Sequence, residues 1–190
     1  KLSFSGGGEK VRYLISQNIS EQEGIIRGSE FKRYGTTINL DAQISDRLKV
    51  GESLMFSISN NRIVPTDTKG YEGVSNVIDA IYEALPTIPA RDIDGAPSSL
   101  ADYPLGGGRE NPLTMTDKYK QVENTGRVIG NVFADYRIMD GLNLNLKFGF
   151  DINDWRYQEY FPIGSEASGG ANGKARQSSM KNINISQANT

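Results

Sequence analysis

The 190 residues contain no cysteine and no histidine. Without cysteine there is no disulfide frame and no thiolate metal site. Without histidine the commonest general base and the usual zinc and non-haem iron ligands are missing as well. No enzyme is expected, and no cofactor or metal. Long apolar runs are also missing: no stretch approaches the ~20 residues of a membrane-spanning helix, and the opening KLSFSGGGEK has no signal-peptide core. A net charge of −2 comes from 21 basic and 23 acidic residues scattered along the chain, so no basic face marks a nucleic-acid partner. The chain is either soluble or crosses membranes as strands. A mean hydropathy of −0.48 fits both, because a transmembrane strand alternates apolar and polar residues.

What is present is a period of two. In Phe31 to Ser45, Thr36, Ile38, Leu40, Ala42 and Ile44 fall on one side of an extended chain. Arg33, Gly35, Thr37, Asn39, Asp41 and Gln43 fall on the other. LNLNLKFGFDIND is cleaner, with Leu142, Leu144, Leu146, Phe148, Phe150 and Ile152 opposed to Asn143, Asn145, Lys147, Gly149, Asp151 and Asn153. LKVGESLMFSISN puts Leu48, Val50, Leu54, Phe56 and Ile58 together with Glu52 as an exception. Either Glu52 lies near a membrane interface, where charge costs little, or a bulge beside Gly51 turns it aside. VRYLISQNIS is weaker, and RVIGNVFADYRIM is least clean, since Ile129 and Phe133 oppose Val128, Val132, Ala134, Tyr136 and Ile138.

The expected strands lie near 1–5, 10–20, 31–45, 48–60, 125–138 and 142–158, with another starting near 182. GGGE, SDR and MDG are tight turns. Between them come a shorter loop near Glu21 to Glu30 and long loops over 61–124 and 159–181, so short and long connections alternate. An antiparallel meander then collects all tight turns at one edge, as outer-membrane barrels do with short periplasmic turns and long extracellular loops. Fourteen residues at ~3.3 Å each, tilted ~45°, rise about 33 Å, enough to cross an apolar band ~25 Å tall.

Trp155, Tyr157, Tyr160 and Phe161 suggest an interfacial aromatic girdle at the long-loop end, or a local cluster packing a loop. Within the first long loop, Val74, Val77, Ile78, Ile81 and Leu85 follow helical spacing up to Pro86. They predict a short amphipathic helix, packed within its own loop or touching a partner. Tyr71, Tyr82, Tyr103 and Tyr119 are the loop candidates for stacking on a ligand or meeting a partner protein.

Other motifs carry less. SGGGEK lacks the Gly-Lys-Ser/Thr ending of a phosphate loop. Asp92, Asp94 and Gly95 lack the remaining ligands of a calcium loop. Asp151, Asp154 and Glu159 could be argued into a glycosidase pair, but carboxylates also line polar walls. Arg33, Asn39, Asp41, Gln43, Asn143, Asn145, Lys147 and Asp151 read as such a wall, facing a lumen.

Two stretches, LSFSGGGEKVRYLISQNISEQEGIIRGSEFKRYGTTINLDAQISDRLKVGESLMFSIS and NPLTMTDKYKQVENTGRVIGNVFADYRIMDGLNLNLKFGFD, resemble the SusC/RagA family of TonB-dependent transporters. The resemblance rests on the order of Ser-Gly-Gly turn, Gln-Glu-Gly-Ile, Phe-Lys-Arg-Tyr, Asn-Leu-Asp and Leu-Lys-Val-Gly segments. It implies an all-β, antiparallel up-and-down transmembrane barrel of about 22 strands around a plug. This chain would supply six to seven of those strands, early in the barrel. It further implies the Gram-negative outer membrane and import of an oligosaccharide or peptide. The partners would be a SusD-like lipoprotein and TonB, the latter acting through a plug outside this chain. The competing reading is a soluble secreted β-sandwich that binds glycans or acts as an adhesin, with its apolar faces against a second sheet.

Overall fold

The computed structural model describes residues 1–66, 76–99, 110–165 and 173–190. Seven strands form one antiparallel sheet in sequence order: β1 (Leu2–Gly7), β2 (Val11–Glu23), β3 (Glu30–Ser45), β4 (Leu48–Ile63), β5 (Lys120–Met139), β6 (Leu142–Phe161) and β7 (Lys174–Asn189). Every neighbour in the sheet is a neighbour in sequence, which is an up-and-down meander. Two short helices, α1 (Val77–Glu83) and α2 (Pro112–Lys118), lie in the β4–β5 connection.

Register carries the alternation across the whole sheet. Phe4 pairs with Ile15, Ile15 with Ile38, Ile38 with Leu54, Leu54 with Gly130, Gly130 with Phe150 and Phe150 with Ile185. Because paired residues share a face, that row is apolar from one edge to the other. The row through Ser16, Thr37, Met55, Ile129, Asp151 and Asn184 lies on the opposite face. On β3 the apolar set runs from Tyr34 to Ile44; at ~3.3 Å per residue and ~45° tilt it rises about 24 Å, close to the band of a transmembrane barrel. No second sheet covers this face among the described residues. Ile58 is 66% exposed and Phe4 60%, so the sandwich reading does not hold.

The strands run longer than expected at the long-loop end. β5 begins at Lys120 rather than 125, β6 continues to Phe161, and β7 begins at Lys174 rather than 182. The spans 61–124 and 159–181 are therefore not loop throughout. The added residues are mostly polar on both faces, Val122, Tyr160, Phe161 and Met180 apart, which leaves backbone pairing without a clean alternation to announce it. At the other end the turns are tight. The β3–β4 and β5–β6 hairpins each carry one register irregularity, between Gln43 and Ser45 and between Arg137 and Met139. There the Arg137 amide donates to Arg47 O at 2.8 Å and its guanidinium donates to Asp46 O at 3.2 Å, tying one hairpin turn to the next strand pair.

The buried core is small and lies at the long-loop end. Val64, Val77, Ala80, Met115, Tyr119 and Phe161 form it, with Ile26 of the β2–β3 loop packed alongside. α1 starts at Asn76, whose side chain accepts from the Asp79 amide at 2.8 Å, and ends before Pro86. Val77 and Ala80 are its buried positions, whereas Ile78 and Ile81 stay exposed and Val74 lies outside the described residues. α2 starts at Asn111 with Pro112 in its first turn, a favourable pair for a helix start.

Candidate functional site: the polar face and its helical cap

The polar face is built from alternate residues of all seven strands, and all eight wall candidates stand on it. Arg33 aligns with Ser20, Ser59 and, through Thr125, with Trp155. Asn39 aligns with Leu14, Ser53 and Asn131, and accepts from Ser53 Oγ at 2.7 Å. Asp41 lies in the row of Arg12, Gly51, Phe133 and Lys147. Gln43 pairs with Lys49, which pairs with Asp135, which pairs with Asn145. Asn145 also donates to the Asp135 carboxylate. Asn143 pairs with Arg137. Asp151 takes a two-pronged contact from Arg127, Nε to Oδ1 at 2.9 Å and Nη2 to Oδ2 at 2.7 Å. Toward the middle of this face stand Ser16, Asn18, Ser57, Gly149, Asn153, Asn182 and Ser186, with Leu14, Met55 and Ile129 among them. Its polar groups offer hydrogen bonds to water.

Phe133 and Ile129 belong to this polar face, which is why β5 reads poorly. A Cβ on Gly51 would lie 2.4 Å from Phe133 Cε1 and 2.6 Å from Asp41 Oδ1, so the missing side chain is the space the ring fills. Lys49 Nζ stands 5.5 Å from the ring centroid. The glycine beside it in space was visible in the sequence, but only the register shows that it faces Phe133.

The aromatic girdle is corrected. Trp155, Tyr157 and Phe161 share the polar face, and only Tyr160 stands on the apolar one. Trp155 and Tyr157 are parallel within 3°, centroids 6.1 Å apart, and the indole N–H donates to Glu123. Phe161 is fully buried beneath the cap, edge-on to Tyr119 at 4.9 Å. Gln121 and Glu159, paired across β5 and β6 on the same face, are buried there too. The helices therefore lie over the polar side of the long-loop end.

Glu52 stays on the apolar face. It pairs with Leu40 and Val132 in unbroken register, so no bulge turns it aside. Asp154, bound by Arg156 at 3.2 Å, falls on the face opposite Asp151 and Glu159, and those two are eight residues apart along β6, about 26 Å, too far for a carboxylate pair. Asp92 closes a turn, its Oδ1 accepting from the amides of Asp94 and Ala96 at 3.0 and 2.9 Å.

Of the loop tyrosines, Tyr71 and Tyr103 lie outside the described residues. Tyr82 on α1 is 84% exposed. Tyr119 is 3% exposed and its hydroxyl donates to Glu110 at 3.2 Å, so it anchors the cap and presents no surface to a ligand. The sequence did not point to an apolar groove of about 460 Å³ between the β2–β3 loop and the helices, lined by Ile25, Ile81, Leu85, Ile88, Pro89 and Leu113.

No family model matches the chain. It is 28% identical to TonB-dependent receptor P3 of Formosa agariphila, over 92% of this chain and 17% of that protein. It is 29% identical to TonB-dependent receptor P26 of the same organism, over 71% of this chain and 12% of the relative. With TonB-dependent receptor SusC of Bacteroides thetaiotaomicron the identity is 23%, over 78% and 16%. The chain thus spans well under a fifth of each of these relatives. In fold it is similar to the RagAB peptide importer in its closed-closed state, with a TM-score of 0.72 and 23% identity over 98% of this chain and 21% of that one. The RagAB peptide transporter gives a TM-score of 0.73 with the same identity. These proteins are receptors and importers rather than enzymes. The chain is thus similar in sequence to TonB-dependent receptors, SusC among them, and its seven-stranded sheet is similar in fold to one segment of the RagAB peptide importer.

Proposed function

We propose that this chain forms part of the wall of an active importer in the Gram-negative outer membrane. Its apolar face meets lipid and its polar face meets a water-filled lumen with a plug. The tight turns lie in the periplasm, and the cap with its loops lies outside the cell. Substrate, an oligosaccharide or a peptide, passes the polar face and is delivered by a SusD-like lipoprotein that closes on the long-loop side. TonB supplies the work through the plug.

The observation that carries this reading is the unbroken apolar row from Phe4 to Ile185 across seven strands, opposed to a hydrated one. Backbone groups inside a bilayer must be satisfied internally, and a long meander that continues into a closed barrel is one of two ways to do so. The lipoprotein and the choice of substrate rest on the likeness to SusC and to the RagAB peptide importer. The test is uptake of labelled oligosaccharide and peptide pools by cells making the full-length protein, with and without TonB. Accumulation that needs both the protein and TonB is expected. Equal accumulation without TonB overturns the reading.

A further inference from the structure

The basic residues of the strands are distributed unevenly between the faces. On the polar face they occur from the tight-turn end upward, as Arg12, Lys49, Lys147, Arg127 and Arg33 do. On the apolar face there is one per strand from β3 to β7, namely Lys32, Arg62, Lys120, Arg156 and Lys181. Each lies on the long-loop side of the leucines, isoleucines and valines that its strand shows on this face, and on β6 Tyr160 stands further out than Arg156.

Lys32 is neutralised where it stands, bound to Glu30 and two residues from the Tyr34–Glu21 hydrogen bond. On β4, Arg62 pairs with that same Glu30. On β5 to β7 the balance is different: Lys120, Arg156 and Lys181 share the single carboxylate of Asp154 among the described residues of this face at the long-loop end, and Arg156 already holds it. Lys120 and Lys181 are exposed. Tyr160 pairs with Lys120 and stands on the same outward face, 44% exposed, where an interfacial aromatic belongs. Asn124, Gln158, Gln177 and Ser179 fill the positions between the cations with neutral donors.

Resting on the barrel reading above, we propose that this outward strip, Lys120, Arg156 and Lys181 above all, binds the phosphate groups of the glycolipid that forms the outer leaflet. The chemistry is that of any juxtamembrane basic cluster against an anionic headgroup. The long stems of Lys120 and Lys181 can lie along the last apolar residues while the ammonium groups reach the phosphate plane. A second protein is a poorer fit, because the strip is narrow, hydrated and directly continuous with the lipid-facing rows.

The experiment uses the full-length protein in neutral detergent, titrated with fluorescent lipid A bearing its phosphates and with the same lipid dephosphorylated. Tighter binding of the phosphorylated form is expected. Lys120→Gln with Lys181→Gln should reduce that preference by about tenfold. Lys10→Gln with Arg47→Gln, at the tight-turn rim, should leave it unchanged. Equal binding of the two lipids, or no loss in the strip variant, overturns the proposal. Membrane fractionation of the same variants separates this outcome from failure of the barrel reading: a protein absent from the outer-membrane fraction overturns both, whereas one present there but blind to phosphate overturns the lipid site alone.

Discussion

Phe161 and Tyr119 meet edge to face with ring centroids 4.9 Å apart, joining the last residue of β6 to the residue just before β5. Around that contact the cap has its only substantial core among the described residues. Truncating Phe161 to alanine removes the fully buried ring on which the helices rest. A loss of about 3–5 kcal/mol is expected, confined to the cap. Amide exchange in α1 and α2 should rise by orders of magnitude while the β5–β6 ladder keeps its protection. Unchanged exchange in the helices would refute this role for Phe161.

The two faces predict opposite responses to one charge. Ile38 sits between Ile15 and Leu54, and Thr37 between Ser16 and Met55 on the reverse side. In the full-length barrel refolded into bilayers, Ile38→Lys should cost about 2–4 kcal/mol in urea unfolding, the range for a lysine near the midplane. Thr37→Lys should be tolerated. Equal costs would mean that the faces have been assigned wrongly.

Gly51 and Phe133 should behave as a unit. Gly51→Val pushes into the Phe133 ring and the Asp41 carboxylate, for about 1–3 kcal/mol of lost stability. Adding Phe133→Ala should return part of that loss, because the space is then free. Strict additivity in a double-mutant cycle would show that the ring is not what the glycine accommodates.

Arg127 and Asp151 form the best-aligned ion pair of the polar face, yet their side chains are 48% and 31% exposed. Water screens such a pair, so a double-mutant cycle should give about 0.2–1 kcal/mol of coupling, weakening with salt. Coupling several times larger would mean that water is excluded from this wall.

The strands that cross the apolar band were legible because half of their residues are apolar and the other half are not. β3 and β6 needed nothing more. Where strands rise beyond the band, as in Lys120–Asn124 and the first half of β7, both sides are mostly polar and backbone pairing leaves little mark in composition. Trp155 and Tyr157 were misplaced for a related reason. Their parity was available by counting from Ile152, but an aromatic cluster at a strand end suggested an interface, whereas their rings lie against Glu123 on the wet side. α2 has its own signal in the sequence, Asn111 followed by Pro112, although it lies inside a span that otherwise has the composition of a loop. The cap as a whole was not legible, since its core joins residues from the β2–β3 loop, both helices and the end of β6.

The bonds by which Arg137 grips the Asp46–Arg47 turn make the narrow rim behave as a hoop rather than as a row of separate staples. Tension applied to one hairpin there is handed sideways to its neighbour before any ladder begins to unzip. In the importer proposed above, a wall tied in this way would hold its circumference while the plug is dragged along its axis.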